Sequence, residues 1–269
     1  FYGGNSEARR LLIIATDGSC PRDTVYGPIV SHNMHNGGLH NALSPDEKTV
    51  YITGLGNNGY TSVADYESHH VVWRSPLDAT GDAALYLGKM DTSGTGEYQF
   101  NNPQGLAVDN SGNLYVADNL NNRICIFDPV GKFLKHVAIE LPYFIQINRK
   151  NGEVFVLSYK DAQLVPLTLT KLSAYPEMRV LAAKKLTRNT FAPENPVMAL
   201  DYYASTPIVW IGPLVSTSPT IFSYLDMGDT IIQSPVRIGE QGKDAWSGTI
   251  SSTPGYLAIS PDEKFLYAG

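Results

Sequence analysis

Half of the six histidines fall in one short stretch, Ser31-His32-Asn33-Met34-His35-Asn36-Gly37-Gly38-Leu39-His40-Asn41. Neutral imidazole is a common ligand for zinc, copper, nickel or iron. Spacings of three and five residues let His32, His35 and His40 converge in a loop, so a divalent metal held there is one reading of the stretch. No cysteine pair and no HExxH helix accompanies it. The competing reading is a polar loop whose imidazoles bond to backbone or water.

A second constellation surrounds His69 and His70, which precede the strand-like run Val71-Val72-Trp73-Arg74. Neighbouring residues on a strand face opposite ways, so only one of the two histidines can point into a given site. An arginine holds a carboxylate through two parallel hydrogen bonds, and a tyrosine or histidine beside it can remove a proton. His40, His70, Arg74 and Tyr66 are therefore the catalytic candidates, in a lyase or hydrolase acting on a polysaccharide or small substrate. His136 lies in an outer-strand run and reads as a surface residue.

Other chemistries leave no trace. The sequence has no Gly-x-Ser-x-Gly elbow, no P-loop and no dinucleotide fingerprint, and Gly54–Gly59 reads as a loop because no helix opens after it. Cys20 and Cys125 stand far apart and form no CxxC, which suits two separate buried thiols. Asp17, Asp46 and Asp262 have Gly or Pro neighbours and read as turn residues. The basic cluster Arg179, Lys184, Lys185 and Arg188 reads as a solvated face.

The elements that must position these side chains are strands. A hairpin unit recurs: a short apolar strand, a turn rich in Asp, Asn, Gly or Pro, then an apolar strand with an aromatic second residue. It is clearest at Ala42–Thr53, Leu106–Ala117 and Leu257–Tyr267, with further copies at Phe144–Val156 and Val197–Trp210. Asn-Gly and Ser-Gly accept the positive φ of tight turns, and Pro-Asp pre-sets the first turn position. Between copies lie further strands such as Arg123–Phe127. Four antiparallel strands per unit make a propeller blade. The aromatic anchors Tyr51, Tyr115, Phe155, Trp210 and Tyr267 are 40 to 64 residues apart, so several blades carry insertions.

The expected fold is therefore all-β, a single β-propeller domain over residues 1–269. Full blades fall at about 38–90, 103–139, 142–186 and 196–239, and residues 256–269 pair with 9–31 to close the ring. Five units are readable, and six if residues 54–104 or 212–255 hold another. Aligning the units places His40, Gln104, Tyr143, Asn195 or Met198, and Pro254 or Tyr256 at the entry of each inner strand.

Residues 101–134, NNPQGLAVDNSGNLYVADNLNNRICIFDPVGKFL, resemble one copy of the NHL repeat family. The resemblance rests on Pro103, Gly105-Leu106-Ala107-Val108-Asp109, Gly112–Asp118, Asn122-Arg123-Ile124 and Phe127-Asp128. It implies a six-bladed type of propeller and structural roles for Asp118, Asn122 and Arg123. A ring of three equivalent histidines, as in the amidating lyases of NHL-like type, is missing from the inner-strand positions. So is the acidic ring that calcium-dependent lactonase propellers would have there.

Composition bounds the function. Net charge is −6, so a broad basic face for nucleic acid is not expected, and no stretch approaches the roughly 18 apolar residues of a membrane span. The chain opens at Phe1 without an initiator Met or a signal sequence, which fits either a processed protein or a fragment; it reads as soluble, and its compartment stays open, with secretion or the periplasm after processing as one reading. Tyrosines, tryptophans and asparagines are plentiful while catalytic constellations are sparse. The leading expectation is a binding or scaffolding propeller that engages a protein or carbohydrate at its channel mouth through His40, Gln104, Tyr143, Trp73 and Trp246, with Tyr60 beside them.

Overall fold

A computed structural model describes residues 11–13, 22–25, 40–53, 69–77, 83–90, 92–158, 167–186, 196–212, 221–238, 257–259 and 266–268. Four sheets of four antiparallel strands account for most of them. The first contains β3 (His40–Leu43), β4 (Thr49–Thr53), β5 (His69–Pro76) and β6 (Ala84–Met90); β1 (Leu11–Ile13) and β2 (Arg22–Val25) precede it as a separate pair. The second runs β7 (Pro103–Val108), β8 (Leu114–Asp118), β9 (Arg123–Phe127) and β10 (Phe133–Ala138). The third is β11 (Pro142–Ile147), β12 (Val154–Ser158), β13 (Thr168–Leu172) and β14 (Val180–Lys185). The fourth is β15 (Val197–Asp201), β16 (Ile208–Gly212), β17 (Ile221–Asp226) and β18 (Ile231–Ile238), followed by the pair β19 (Leu257–Ile259) and β20 (Leu266–Ala268). Among the described residues β1–β2 and β19–β20 are two sheets of two strands, and one closing sheet built from both is not described by them. No helix among them is long and apolar enough to cross a membrane.

Each full sheet is a meander in which consecutive strands pair. The device that starts it is the same four times. In the hairpin joining the first and second strands, a short polar side chain accepts a backbone N–H two residues on. Lys48 N donates to Asp46 Oδ1, Ser111 N to Asp109 Oδ1, Lys150 N to Asn148 Oδ1 and Tyr203 N to Asp201 Oδ1. Such Asx turns fold the backbone back locally. In the second sheet Gly112, at φ 83°, supplies the left-handed position this turn demands.

In the second and third sheets the last strand is the least buried. Every residue of β7, β8 and β9 is buried, whereas β10 and β14 alternate exposed and covered positions. Strands covered on both faces read as continuous apolar runs, as Leu114–Ala117 and Ile124–Phe127 do. The described chain divides into two compact units, Phe1–Pro142 and Tyr143–Gly269. Each unit encloses cores of its own. The first contains a cluster around Phe100, Val116 and Phe127 and another around Ile52, Val71 and Trp73; the second packs around Phe155, Leu169, Val209 and Tyr224.

Buried ions stitch segments inside each unit. In the first, the Arg123 Nε–H donates to Asp118 Oδ2 at 2.7 Å, and the guanidinium also donates to the carbonyls of Thr95, Gly96 and Gln99. Asp118 Oδ1 accepts Asn101 N–H at 2.7 Å, and its Oδ2 accepts Asn121 Nδ2. Burial raises the Asp118 carboxyl above its ordinary value, against the pull of these donors. In the second unit Lys171 is 2% exposed, with Nζ 3.0 Å from Glu153 Oε1 and 2.8 Å from Asp226 Oδ2. Burial alone would lower its pKa, but the bonds to Asp226 and Glu153 outweigh it and the pKa is raised.

Removing one partner of a buried pair leaves an uncompensated charge. Arg123→Ala is expected to lower unfolding stability by about 3–5 kcal/mol, read as a fall in the urea midpoint at neutral pH. A loss under 1 kcal/mol would contradict this account.

Candidate functional site

Three of the side chains singled out in the sequence meet in one buried polar cluster of the first unit. His40 opens β3 and is register partner to Thr53, the last residue of β4. Thr53 Oγ1 donates to the backbone carbonyl of Gln104 on β7. The Gln104 side chain donates from Nε2 to Asn102 Oδ1 at 2.7 Å, and it also hydrogen-bonds the His40 ring. Asn102 N–H donates in turn to His70 Nδ1 at 3.1 Å. His40, His70 and Gln104 are 4–5% exposed and Thr53 is fully covered.

Local backbone chemistry explains why these residues converge. Asn102 sits at φ 56°, a left-handed position that asparagine tolerates better than most residues. It follows Asn101, whose N–H is held by Asp118, and precedes Pro103, the first residue of β7. The turn therefore presents its backbone N–H to His70 and its carboxamide to Gln104. On the far side, Gly88 of β6 faces Val71 at φ 92°, and a Cβ there would lie 2.3 Å from the His70 carbonyl oxygen. Only glycine leaves room for His70 to keep its place.

Protonation follows from this geometry. Burial pushes His40 down from 6.5 to about 4, and the Gln104 side chain offsets only part of that. His70 accepts an N–H at Nδ1, so its own proton belongs on Nε2. The His40 ring is thus held as a neutral imidazole, and Nδ1 of His70 is already committed as an acceptor.

The remaining candidates lie elsewhere. Arg74 is four residues beyond His70 on β5, about 13 Å along an extended strand. It is exposed, with its guanidinium carbon 4.7 Å from the Tyr86 ring centroid. Trp73 is 6% exposed and packs with Val50, Ile52, Val71 and Ala83 in the core. Tyr143 is 5% exposed and belongs to the core of the second unit, edge-on to Phe144. The structure therefore does not bring His70, Arg74 and Trp73 into one patch. His32, His35, Tyr60, Tyr66 and Trp246 lie outside the described residues, as does Cys20. Among the described residues no three His, Cys, Asp or Glu side chains are placed to hold a metal ion. Cys125 is a buried free thiol that burial pushes up to about 12, and His136 is exposed on β10.

Two members of the cluster escape a reading of the sequence. Thr53 ends an ordinary apolar strand and carries no signal. Asn102 does carry one: an Asn-Asn-Pro step before a strand marks a backbone position with restricted freedom.

Comparison with known proteins fits this picture. Residues 100–127 match the NHL repeat family model. NHL repeat-containing protein 3 of Mus musculus is 32% identical over 120 residues, covering 43% of this chain and 30% of that protein. The chain thus aligns with under a third of this relative's length. Among solved structures, hydrazine synthase of Kuenenia stuttgartiensis has a TM-score of 0.55 at 14% identity, covering 88% of this chain and 56% of the other. A gluconolactonase from Xanthomonas campestris has a TM-score of 0.55 at 11% identity, covering 89% and 72%. Virginiamycin B lyase from Staphylococcus aureus has a TM-score of 0.51 at 14% identity, covering 88% and 64%. At these identities the likeness is one of fold, and the fold class is the all-β propeller.

Two outcomes are expected. Because His40 binds protons less readily folded than unfolded, stability is fully present above pH 6.5 and falls as pH drops from about 6.5 to about 4. The loss attributable to His40 reaches about 3 kcal/mol. Urea midpoints measured across that window should show it, and His40→Gln should flatten that part of the profile. Gly88→Ala should cost about 2–4 kcal/mol, since it adds steric overlap to a strained φ, against under about 0.5 kcal/mol for an exposed substitution such as Lys132→Ala.

Proposed function

We propose that this NHL-repeat-type β-propeller is a binding module that engages a protein or carbohydrate ligand beside the ends of β3 and β7, where the buried His40 and Gln104 underlie the recognition surface. The reading rests above all on one observation: His40 is buried with its pKa pushed down, and His70 is bonded into the framework through its Nδ1. A group poised for acid–base work has a pKa near the working pH and a free path to the substrate proton. His40, at about 4, is a polar contact that keeps one charge state across the physiological range.

The second reading is a lyase or hydrolase, either metal-dependent through His32, His35 and His40 or built on His70, Arg74 and Tyr66. Structures titled as a lyase and a gluconolactonase share the fold, and one fold hosts many unrelated chemistries. The separation of His70 from Arg74 along β5 weighs against the non-metal version.

Elemental analysis of the purified chain, with panels of oligosaccharides and peptides as binding probes, separates the two readings. The binding module is expected to retain at least one probe, to carry less than about a tenth of an equivalent of divalent metal, and to release no unsaturated uronate from acidic polysaccharides. Stoichiometric metal that is lost in both His35→Ala and His40→Ala would overturn it.

A further inference from the structure

The first hairpins of the third and fourth sheets meet at an exposed corner of the second unit. Arg149 and Lys150 are exposed in the β11–β12 turn, and Tyr202 and Tyr203 are half-buried in the β15–β16 turn. Lys150 Nζ–H donates to the Tyr203 carbonyl at 2.9 Å and lies 5.5 Å from the Tyr203 ring centroid. The two tyrosine rings stand 4.4 Å apart, centroid to centroid, with their hydroxyls hydrogen-bonded at 3.0 Å. On a strand, adjacent residues would point to opposite sides. Here Asp201 Oδ1 accepts the N–H of Tyr203 and of Ala204, and the turn sets the two rings together. Asn148 Oδ1 fixes the other turn by accepting Lys150 N–H.

This corner offers hydrogen-bond donors. An ammonium has three protons, and Lys150 gives one to Tyr203 while making no ion pair among the described residues. Of two hydroxyls bonded to each other, one proton is used and the other is left to donate. Burial and the Tyr203 hydroxyl push Tyr202 up to about 12, while the Arg149 charge nearby pulls the other way. The carboxylates of these two turns are already spent, Glu153 on Lys171 and Asn151, and Asp201 on backbone N–H groups. The rings are spent too: Tyr202 packs on the core and on Tyr203, and Tyr203 is covered by Tyr202 and Lys150. That disfavours ligands held by stacking, sugars and bases alike.

We propose that this corner is a docking site for an acidic peptide segment of a partner protein, its carboxylates received by Lys150 and the tyrosine hydroxyl pair within the field of Arg149. The argument is charge complementarity. In a chain of net charge −6 a carboxylate-rich segment is repelled by the molecule as a whole and attracted at such a corner. Tyr203 already orders the Lys150 side chain, which removes part of the entropy cost of binding. The inference concerns the second unit alone and goes beyond the reading at β3 and β7.

The test titrates the full chain by calorimetry at low salt with hexaglutamate, hexaglutamine, inorganic phosphate and a uronate oligomer of the same charge as hexaglutamate. Hexaglutamate is expected to bind with a Kd below about 1 mM, weakening as salt is added, and hexaglutamine is expected not to bind. Lys150→Gln, which keeps a donor for the Tyr203 carbonyl but removes the charge, should weaken hexaglutamate about fivefold. Joint Tyr202→Phe and Tyr203→Phe, which keeps both rings, should weaken it about threefold. Lys132→Gln, which removes the same charge from an exposed lysine of the first unit, should leave the affinity unchanged, and the urea midpoint of each variant reports whether it folds. Absence of hexaglutamate binding, unchanged affinity in a folded Lys150→Gln or tyrosine variant, or an equal loss in Lys132→Gln would overturn the inference. So would phosphate or the uronate binding as tightly as the peptide.

Discussion

The Asp118–Arg123 ion pair is the constraint from which the arrangement of the first unit follows. Its two residues are the end of β8 and the start of β9, joined by a single 3-10 turn. The guanidinium gathers three carbonyls of residues 95–99, while the carboxylate takes Asn101 N–H. The chain entering β7 is thereby fixed from both sides. Asn102 comes next, in its left-handed conformation, and through it His70 and Gln104 are placed. A charge pair that makes no contact with any candidate ligand thus determines where the polar cluster stands. Its energetic weight lies in the cost of leaving either partner alone rather than in the net strength of the pair.

The same logic gives the NHL resemblance a physical meaning. The matched segment contains both halves of the ion pair, the Asx turn at Asp109 and the left-handed Asn122, whose Oδ1 accepts Leu141 N–H. These features set the path of backbone between strands, and none of them is a reacting group. In the second unit Lys171, Glu153 and Asp226 link the third and fourth sheets with different residues at different positions. The matched repeat and the third and fourth sheets thus place distinct buried-ion arrangements on a common hairpin frame.

Strand positions were legible in the sequence because their determinants are local. Pro45-Asp46, Asp109 to Gly112, and Asn148 to Gly152 each close a hairpin with nearby groups, and the flanking β-branched and aromatic runs follow from pleated packing. The polar cluster was half legible. His40 and Gln104 could be found by aligning the inner strands, since they occupy equivalent entries. Their connection through Thr53 and Asn102 could not, because it depends on contacts between positions about 50 residues apart. The pairing of Lys171 with Asp226, 55 residues away, was invisible for the same reason. Arg74 and Trp73 misled in the opposite sense: closeness in sequence to His70 suggested a shared site, but an extended strand carries neighbours apart at over 3 Å per residue.

The meander connectivity has a consequence for how much variation the scaffold accepts. Each four-stranded sheet pairs its strands in sequence order, so a longer connection enlarges one hairpin loop and leaves every other pairing unaltered. Loop closure grows only with the logarithm of length, about 0.6 kcal/mol per doubling. Residues 173–179, between β13 and β14, are one such connection. Grafting foreign segments into that span is a route to new specificities on an unchanged frame.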